Sequence, residues 1–359
     1  MNNKQFMVAV IALSCILFSA CEPDEQNEPT KPSELTENSL YVLCEGNWGQ
    51  TNSTIDMYSI DSCSVKKDFF TYTNGQGLGD TGNDMIAYGS KIYVAVKESH
   101  VISVINRQSG KLEKRIPIIN DAGTGKSPSR LCSAKGKVYV ACFSGSVVEI
   151  DTNSLSIERE VAVGKNPDGI AFANEKLYVS NSGGMDVVFD STVSVIRLSD
   201  FSVIKTVNIG LNPTIAKTLP DGNVLIMLNG NYYDVTPSLV TINSQTDEVI
   251  HKDNVNVSSF AVCGNDVIFL HYNYITGAFS VKKAPYTNIA NSTDFVSDQS
   301  VVSTLLIPYC VNVNHTRNEV YITDAKDFIS GGEVLCFDYS GNLKYRFSTS
   351  TNPSIVVQK

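Results

Sequence analysis

A short hydrophobic segment recurs seven times along this chain and limits its possible folds more than any other feature. Each copy is rich in Val, Ile, Leu and Tyr, residues that favour β-strands. Most copies follow a tight turn of Gly, Lys, Asn or Asp, which is typical of a hairpin. The seven copies are residues 40–43, 92–95, 138–141, 177–180, 224–227, 267–270 and 320–323. A strand repeated at regular intervals predicts a repeat architecture.

Each copy is one of four predicted strands per repeat. A strand precedes it, and these first strands begin near Asp84, Pro128, Pro167, Pro213, Ser258, Pro308 and Pro353. Their spacing runs from 39 residues (Pro128 to Pro167) to 50 (Ser258 to Pro308), the period of propeller blades. A third strand and a more polar fourth strand follow, as at 192–196 and 203–209. The pattern predicts an all-β fold, a seven-bladed β-propeller with four-stranded blades.

The two ends of the repeat region predict how the ring closes. The region begins with a second strand at 40–43 and ends with a first strand at 354–358. Pairing these two would complete the last blade and remove two exposed sheet edges. Residues 39–359 would then form the whole propeller, with no room for a second folded domain.

Composition and net charge narrow the range of possible functions. Hydrophobic residues make up 42% and charged residues 18%, a globular composition, and the net charge is −9. Nucleic acid is an unsuitable partner for so acidic a chain. Seven cysteines follow Cys21, and their odd number and irregular spacing predict free thiols rather than a disulfide framework.

The N-terminus carries an export signal. Residues 1–20 contain an apolar run that is short for a membrane span and ends Leu17-Phe18-Ser19-Ala20-Cys21. This ending resembles a bacterial lipobox with Cys21 as the lipidated residue, although Phe18 stands where Leu is usual. Residues 21–38 are polar, acidic and proline-containing, which predicts a disordered tether. The acidic residues resemble surface-export signals of Bacteroidetes lipoproteins, or they form a plain spacer.

Repeat motifs such as Lys176-Leu177-Tyr178-Val179-Ser180 resemble those of YVTN/YncE-type surface propellers, over essentially the whole mature chain. The opening stretch 40–49, Leu-Tyr-Val-Leu-Cys-Glu-Gly-Asn-Trp-Gly, on a lipidated propeller looks more specifically like the cobalamin-capturing surface lipoproteins of gut Bacteroidetes, the BtuG group. That resemblance implies an outer-membrane, cell-surface protein. It also implies that a bound corrinoid is passed to a TonB-dependent transporter.

The loops joining second to third strands are rich in aromatic residues. Aromatics on loops have less packing to explain them than those on strands, so they suggest a binding surface with polar neighbours. The candidate ligand-binding residues are Asn47, Trp48, Phe143, Phe189, Tyr232, Tyr233, His271, Tyr272, Tyr274, Asp324 and Phe328. Some of these rings could instead cap the blades, and a glycan would suit the same surface as well as a corrinoid.

Evidence for catalysis is weak. Only four histidines occur and no G-x-S-x-G motif is present. Asp84, Asp168, Asn212 and Asn352 stand near the predicted channel and could hold Ca²⁺, but the same residues serve ordinary turns. We therefore expect no catalytic residues, no resident metal and no cofactor. A lyase or lactonase and a surface adhesin or protein-interaction scaffold remain alternatives to a binding protein.

Overall fold

The computed structural model describes residues 38–184, 186–272 and 276–359. The described residues, from 38 to 359, form one compact unit. The predicted leader, the tether up to residue 37, and the lipidation site Cys21 lie outside the described residues, as does Tyr274.

Within the described residues, the strands form seven four-stranded antiparallel sheets, the blades of a β-propeller. The first three blades contain β1 (Ser39–Cys44), β2 (Thr54–Ser59), β3 (Ser64–Lys66); β4 (Gly82–Tyr88), β5 (Lys91–Val96), β6 (Val101–Asn106), β7 (Leu112–Pro117); and β8 (Pro128–Ala134), β9 (Lys137–Cys142), β10 (Ser146–Asp151), β11 (Ile157–Ala162). A short helix, α1 (Phe69–Asn74), connects blades 1 and 2.

The remaining blades repeat this order. They contain β12 (Pro167–Ala173), β13 (Lys176–Asn181), β14 (Thr192–Arg197), β15 (Ser202–Asn208); β16 (Pro213–Thr218), β17 (Val224–Leu228), β18 (Ser238–Asn243), β19 (Glu248–Asp253); β20 (Val257–Cys263), β21 (Asp266–Tyr272), β22 (Phe279–Pro285), β23 (Thr293–Asp294); and, after α2 (Gln299–Val302), β24 (Pro308–Asn314), β25 (Glu319–Asp324), β26 (Gly331–Asp338), β27 (Leu343–Thr351). The predicted seven-bladed, four-stranded architecture is confirmed.

The last strand, β28 (Pro353–Gln358), closes the ring. It pairs antiparallel with β1, placing Leu40 opposite Gln358 and Val42 opposite Val356. Blade 1 therefore takes strands from both ends of the described chain, in the order β28-β1-β2-β3. The predicted closure is confirmed.

The second strand of each blade is buried on both faces, because every blade is covered by a neighbour on either side. Tyr93 of β5 and Val138 and Val140 of β9 belong to one such core between blades 2 and 3. This double burial explains why the second strands read as continuous apolar runs rather than alternating ones. The fourth strands lie at the outer rim, and β15 and β19 are mostly exposed.

The first strands line the central channel. The third residue of every first strand, including Asp84, Arg130 and Cys310, lines a narrow section of about 70 Å³. The fifth residues of six of them, including Cys132 and Lys217, line a wider cavity of about 590 Å³. The wide cavity therefore lies toward the side of the ring where the first strands end, not the side where they begin.

Candidate ligand-binding face

The loops joining second to third strands lie on one side of the propeller, here called the loop face. The connections from each blade's fourth strand to the next blade's first strand reach the same side. Gly46 N–H donates to Thr351 O at 3.3 Å, and Asn229 N–H donates to Asn212 O at 2.9 Å. Asn212 and Asn352 precede first-strand prolines with φ of +58° and +56°, the turn conformation that asparagine tolerates.

The most exposed apolar side chains of the described residues all lie on the loop face. Seven large hydrophobic side chains are at least 65% exposed: Trp48, Val187, Val188, Tyr232, Tyr233, Leu306 and Ile329. Six stand in loops between second and third strands, and Leu306 stands in the connection just before β24. A monomer rarely gathers its protruding apolar side chains on one side unless that side binds something.

Part of this face forms where the ring closes. Trp48 stands on the loop after β1, and Phe328 and Ile329 stand on the loop after β25. The two loops are joined because Asn47 Nδ2 donates to Phe328 O at 2.7 Å. The Phe328 ring meets Tyr309 edge to face, with centroids 5.9 Å apart. We call Asn47, Trp48, Tyr309, Phe328 and Ile329, with Leu306, the closure cluster.

A second group lies on blades 4 and 5. Phe189 is half-buried and meets Tyr232 edge to face, with ring centroids 5.8 Å apart. Asn229 Nδ2 donates to the Tyr232 hydroxyl at 3.1 Å. With Val187, Val188 and Tyr233, these rings form the second cluster.

Both clusters are held on strained, internally bonded loops. Tyr232 and Phe328 adopt left-handed backbone conformations, with φ of +60° and +62°, which bulky residues seldom do. Asn231 Oδ1 accepts from the amides of Tyr233, Asp234 and Val235 at 2.8–3.1 Å. Asp327 accepts from the Ile329 and Ser330 amides, and these bonds lower its pKa to about 2. The loops therefore present the rings in fixed positions.

The other predicted residues lie elsewhere or contribute indirectly. Phe143 is half-buried beneath Lys97, whose Nζ stands 3.9 Å from the ring centroid. Asp324 is buried at the end of β25 and accepts from the Leu306 and Ile307 amides at 3.0 and 2.8 Å. Its carboxylate thus shapes the closure cluster from below rather than facing a ligand.

His271 and Tyr272 lie at the end of β21 (Asp266–Tyr272). Burial and the nearby Lys282 lower the pKa of His271. The side chain of Tyr272 is not among those described.

Below the closure cluster, the channel mouth holds charged groups that the aromatic content of the loops does not reveal. Tyr309 donates to Glu45 Oε2 at 2.8 Å, and burial raises the pKa of Glu45. Arg130 Nε stands 3.7 Å from Asp168 Oδ1, and its Nη1 donates to Asn83 O at 2.8 Å. The guanidinium thus lies among the carboxylates of Asp168, Asp84 and Glu45.

Among the described residues, no group of three or more His, Cys, Asp or Glu side chains is placed to hold a metal ion. In the same part of the chain, neither helix is long and apolar enough to cross a membrane. All seven described cysteines are free thiols.

A family model described as "Domain of unknown function (DUF5074)" matches residues 38–355, all but the edges of the propeller. The chain belongs to this family. No curated protein sequence matches it.

Solved structures resemble this DUF5074 chain at low identity. A quinonprotein alcohol dehydrogenase-like protein from Bacteroides thetaiotaomicron is 14% identical, with a TM-score of 0.65, over 90% of this chain and 78% of its own. A Bacteroides uniformis protein with a proposed 6-phosphogluconolactonase activity is 12% identical, with a TM-score of 0.62, over 89% and 99%. Hydrazine synthase from Kuenenia stuttgartiensis is 16% identical, with a TM-score of 0.60, over 74% and 86%. At such identities the DUF5074 chain shares the propeller fold with them.

Proposed function

We propose that the protein is a surface-exposed lipoprotein that captures a corrinoid on its loop face and passes it to a TonB-dependent outer-membrane transporter. One observation carries the binding role: the seven most exposed large apolar side chains described all lie on that face. The anchor at Cys21 and the transporter follow from the lipobox and from the resemblance to cobalamin-capturing propellers.

The chemistry of the face suits a broad, flat macrocycle edged with amides. Aromatic rings of both clusters can pack against the faces of such a ligand, and each 100 Å² of apolar surface removed from water contributes about 2.5 kcal/mol. Asn47 and Asn229 stand beside these rings and carry carboxamides that can bond to ligand amides. Strained, internally bonded loops reduce the entropy lost on binding, because the rings are already positioned.

Calorimetry with cyanocobalamin tests this proposal on the full-length chain in mild detergent. We expect micromolar or tighter binding. Trp48→Ala and Tyr232→Ala should each weaken it at least about tenfold, which corresponds to about 1.4 kcal/mol. Tyr72→Ala is the matched control, because Tyr72 is also an exposed ring but lies on α1, whose Asn74 Nδ2 donates to Gly110 O in the turn between β6 and β7, on the side away from the loop face. Absence of heat for the unmodified chain would sink the corrinoid proposal.

A protein-docking surface is the second candidate, favoured by the protruding aliphatic side chains Val187, Val188 and Ile329. Aliphatic groups offer contact area without the planar stacking that a macrocycle uses. A Val187→Ser, Val188→Ser double variant separates the two roles. If it loses a membrane partner in pull-downs yet binds cyanocobalamin normally, the second cluster docks protein. If it loses only the corrinoid, the docking role is wrong.

A further inference from the structure

The channel opens into a wide cavity on the side opposite the loop face. Its volume is about 590 Å³, within the range of small-molecule sites. It is lined by the later residues of the first strands, such as 85–87 of β4 and 311–314 of β24, which run away from the loop face. None of the candidate ligand-binding residues of the loop face lines it.

Lys217 is the one charged residue among the fifth residues of the seven first strands. The others are Ile86, Cys132, Ala171, Ala261, Asn312 and Val357. Lys217 lines both the wide cavity and the narrow section above it. Its position within the channel is corroborated by Cys132: burial raises the pKa of that thiol, and the positive charge of Lys217 opposes the rise.

The Lys217 ammonium lacks a carboxylate partner. Across residues 38–184, 186–272 and 276–359, it makes no ion pair within 4.0 Å and no hydrogen bond. The acidic residue lining the same cavity, Asp84, is already engaged, since it accepts from the Met85 amide at 2.9 Å and from the Leu131 amide at 2.8 Å. At the rim, Arg107 Nε donates to the Gln358 carbonyl at 3.1 Å.

The chain has a net charge of −9, so Lys217 supplies a local positive charge within an acidic protein. Thirteen of the described Lys and Arg side chains form ion pairs with carboxylates, whereas Lys217, which is solvent-exposed, lines a concave space without such a partner. A concave surface with low-dielectric walls concentrates the field of such a charge and raises the local concentration of anions.

The walls indicate what kind of anion fits. Apolar side chains such as Ile86, Val313 and Val357 alternate with polar ones such as Ser133 and Asn312. The volume exceeds what an inorganic ion fills, and the apolar walls can cover a carbon skeleton. We infer that this cavity is a second binding site, which holds a small organic anion, a carboxylate or a phosphate ester, with its charge on Lys217.

Calorimetry on the full-length chain in detergent tests the site with succinate, citrate and glycerol 3-phosphate as probes, at constant ionic strength. Inorganic phosphate serves as the bare-ion comparison. We expect saturable binding of at least one organic probe, weakened at least about tenfold by Lys217→Gln and largely restored by Lys217→Arg. Lys135→Gln is the matched control, because Lys135 is exposed outside the cavity and pairs with Glu175.

Each outcome decides the inference. Loss of binding in Lys217→Gln with an unchanged melting temperature supports it. If none of the organic probes binds, or if Lys217→Gln binds as the unmodified chain does, the inference is wrong. If inorganic phosphate binds as tightly as every organic probe, the organic ligand class is wrong. Cyanocobalamin binding should be the same in Lys217→Gln, so failure of this site and failure of the loop-face proposal are separable.

Discussion

Glu319 is charged although its side chain is fully buried. Arg317 Nε stands 2.8 Å from its Oε2, the Tyr321 hydroxyl donates to Oε2 at 2.6 Å, and Lys344 pairs with Oε1. Burial alone would raise the pKa of Glu319, but these partners outweigh burial and lower it to about 2. Such a carboxylate stabilises the fold only while its partners remain in place.

We therefore expect Glu319→Gln to lower the free energy of unfolding by about 2 kcal/mol at pH 7, since hydrogen bonds to charged groups contribute about 1.5–3 kcal/mol. The folded-state pKa is depressed, so the contribution is complete above the unfolded pKa of about 4.3 and declines as the pH falls toward 2. Urea unfolding at pH 7, 5, 4 and 3 should show the gap between variant and unmodified chain closing. Glu175→Gln, at an exposed pair, should change stability by less than about 0.5 kcal/mol.

Residues such as Glu319 mark the limit of prediction from sequence. Arg317 and Tyr321 are near it in the chain, but Lys344 comes from a different strand, 25 residues away. Lys217 was also not predictable, because its lack of a carboxylate partner is visible only once seven first strands surround one channel. The apolar core was predictable because Val, Ile and Tyr recur at fixed positions, whereas pairing of charges depends on side-chain geometry.

Among the loops, aromatic content predicted some of the side chains that protrude from the loop face but not all of them. Val187, Val188, Leu306 and Ile329 are at least 65% exposed, yet aliphatic residues in a loop give no distinctive pattern. First-strand starts were predictable, because proline fits the first ladder position. The role of Asn231 in holding its loop together was not predictable, because asparagine is common in turn-rich stretches.

The loop 229–237 should depend on Asn231. Its side chain accepts three backbone amides, so Asn231→Ala leaves them to bond with water and releases Tyr232 and Tyr233. We expect amide hydrogen exchange at 233–235 to accelerate at least about tenfold, with little change elsewhere, because each lost bond contributes about 1 kcal/mol. Asn153→Ala, at an exposed turn of blade 3, is the control. Unchanged exchange in Asn231→Ala would show that the strained backbone holds the loop by itself.

At the scale of the whole molecule, one strand decides whether seven blades form a ring. Without β28, blade 1 would lose its channel strand and β1 would become an open edge. The closing strand also carries side chains of the core between blades 7 and 1, where Val356 packs with Leu40, Val42 and Tyr321. Closure was predictable because the propeller region begins with a second strand and ends with a first strand, so these two strands must share one blade.

Val356→Asp tests how much of the stability depends on this closure. The substitution places a carboxylate among Val42 and its apolar neighbours, so we expect the free energy of unfolding to fall by at least about 3 kcal/mol. The matched change Val203→Asp lies on the exposed strand β15 and should cost less than about 0.5 kcal/mol. Urea unfolding followed by fluorescence and by circular dichroism measures both. Because one blade joins both ends of the ring, the two probes should shift together for Val356→Asp. If only blade 1 loosened while the other blades kept their midpoint, the ring would not unfold as one cooperative unit, and closure would be a local feature rather than the lock of the fold.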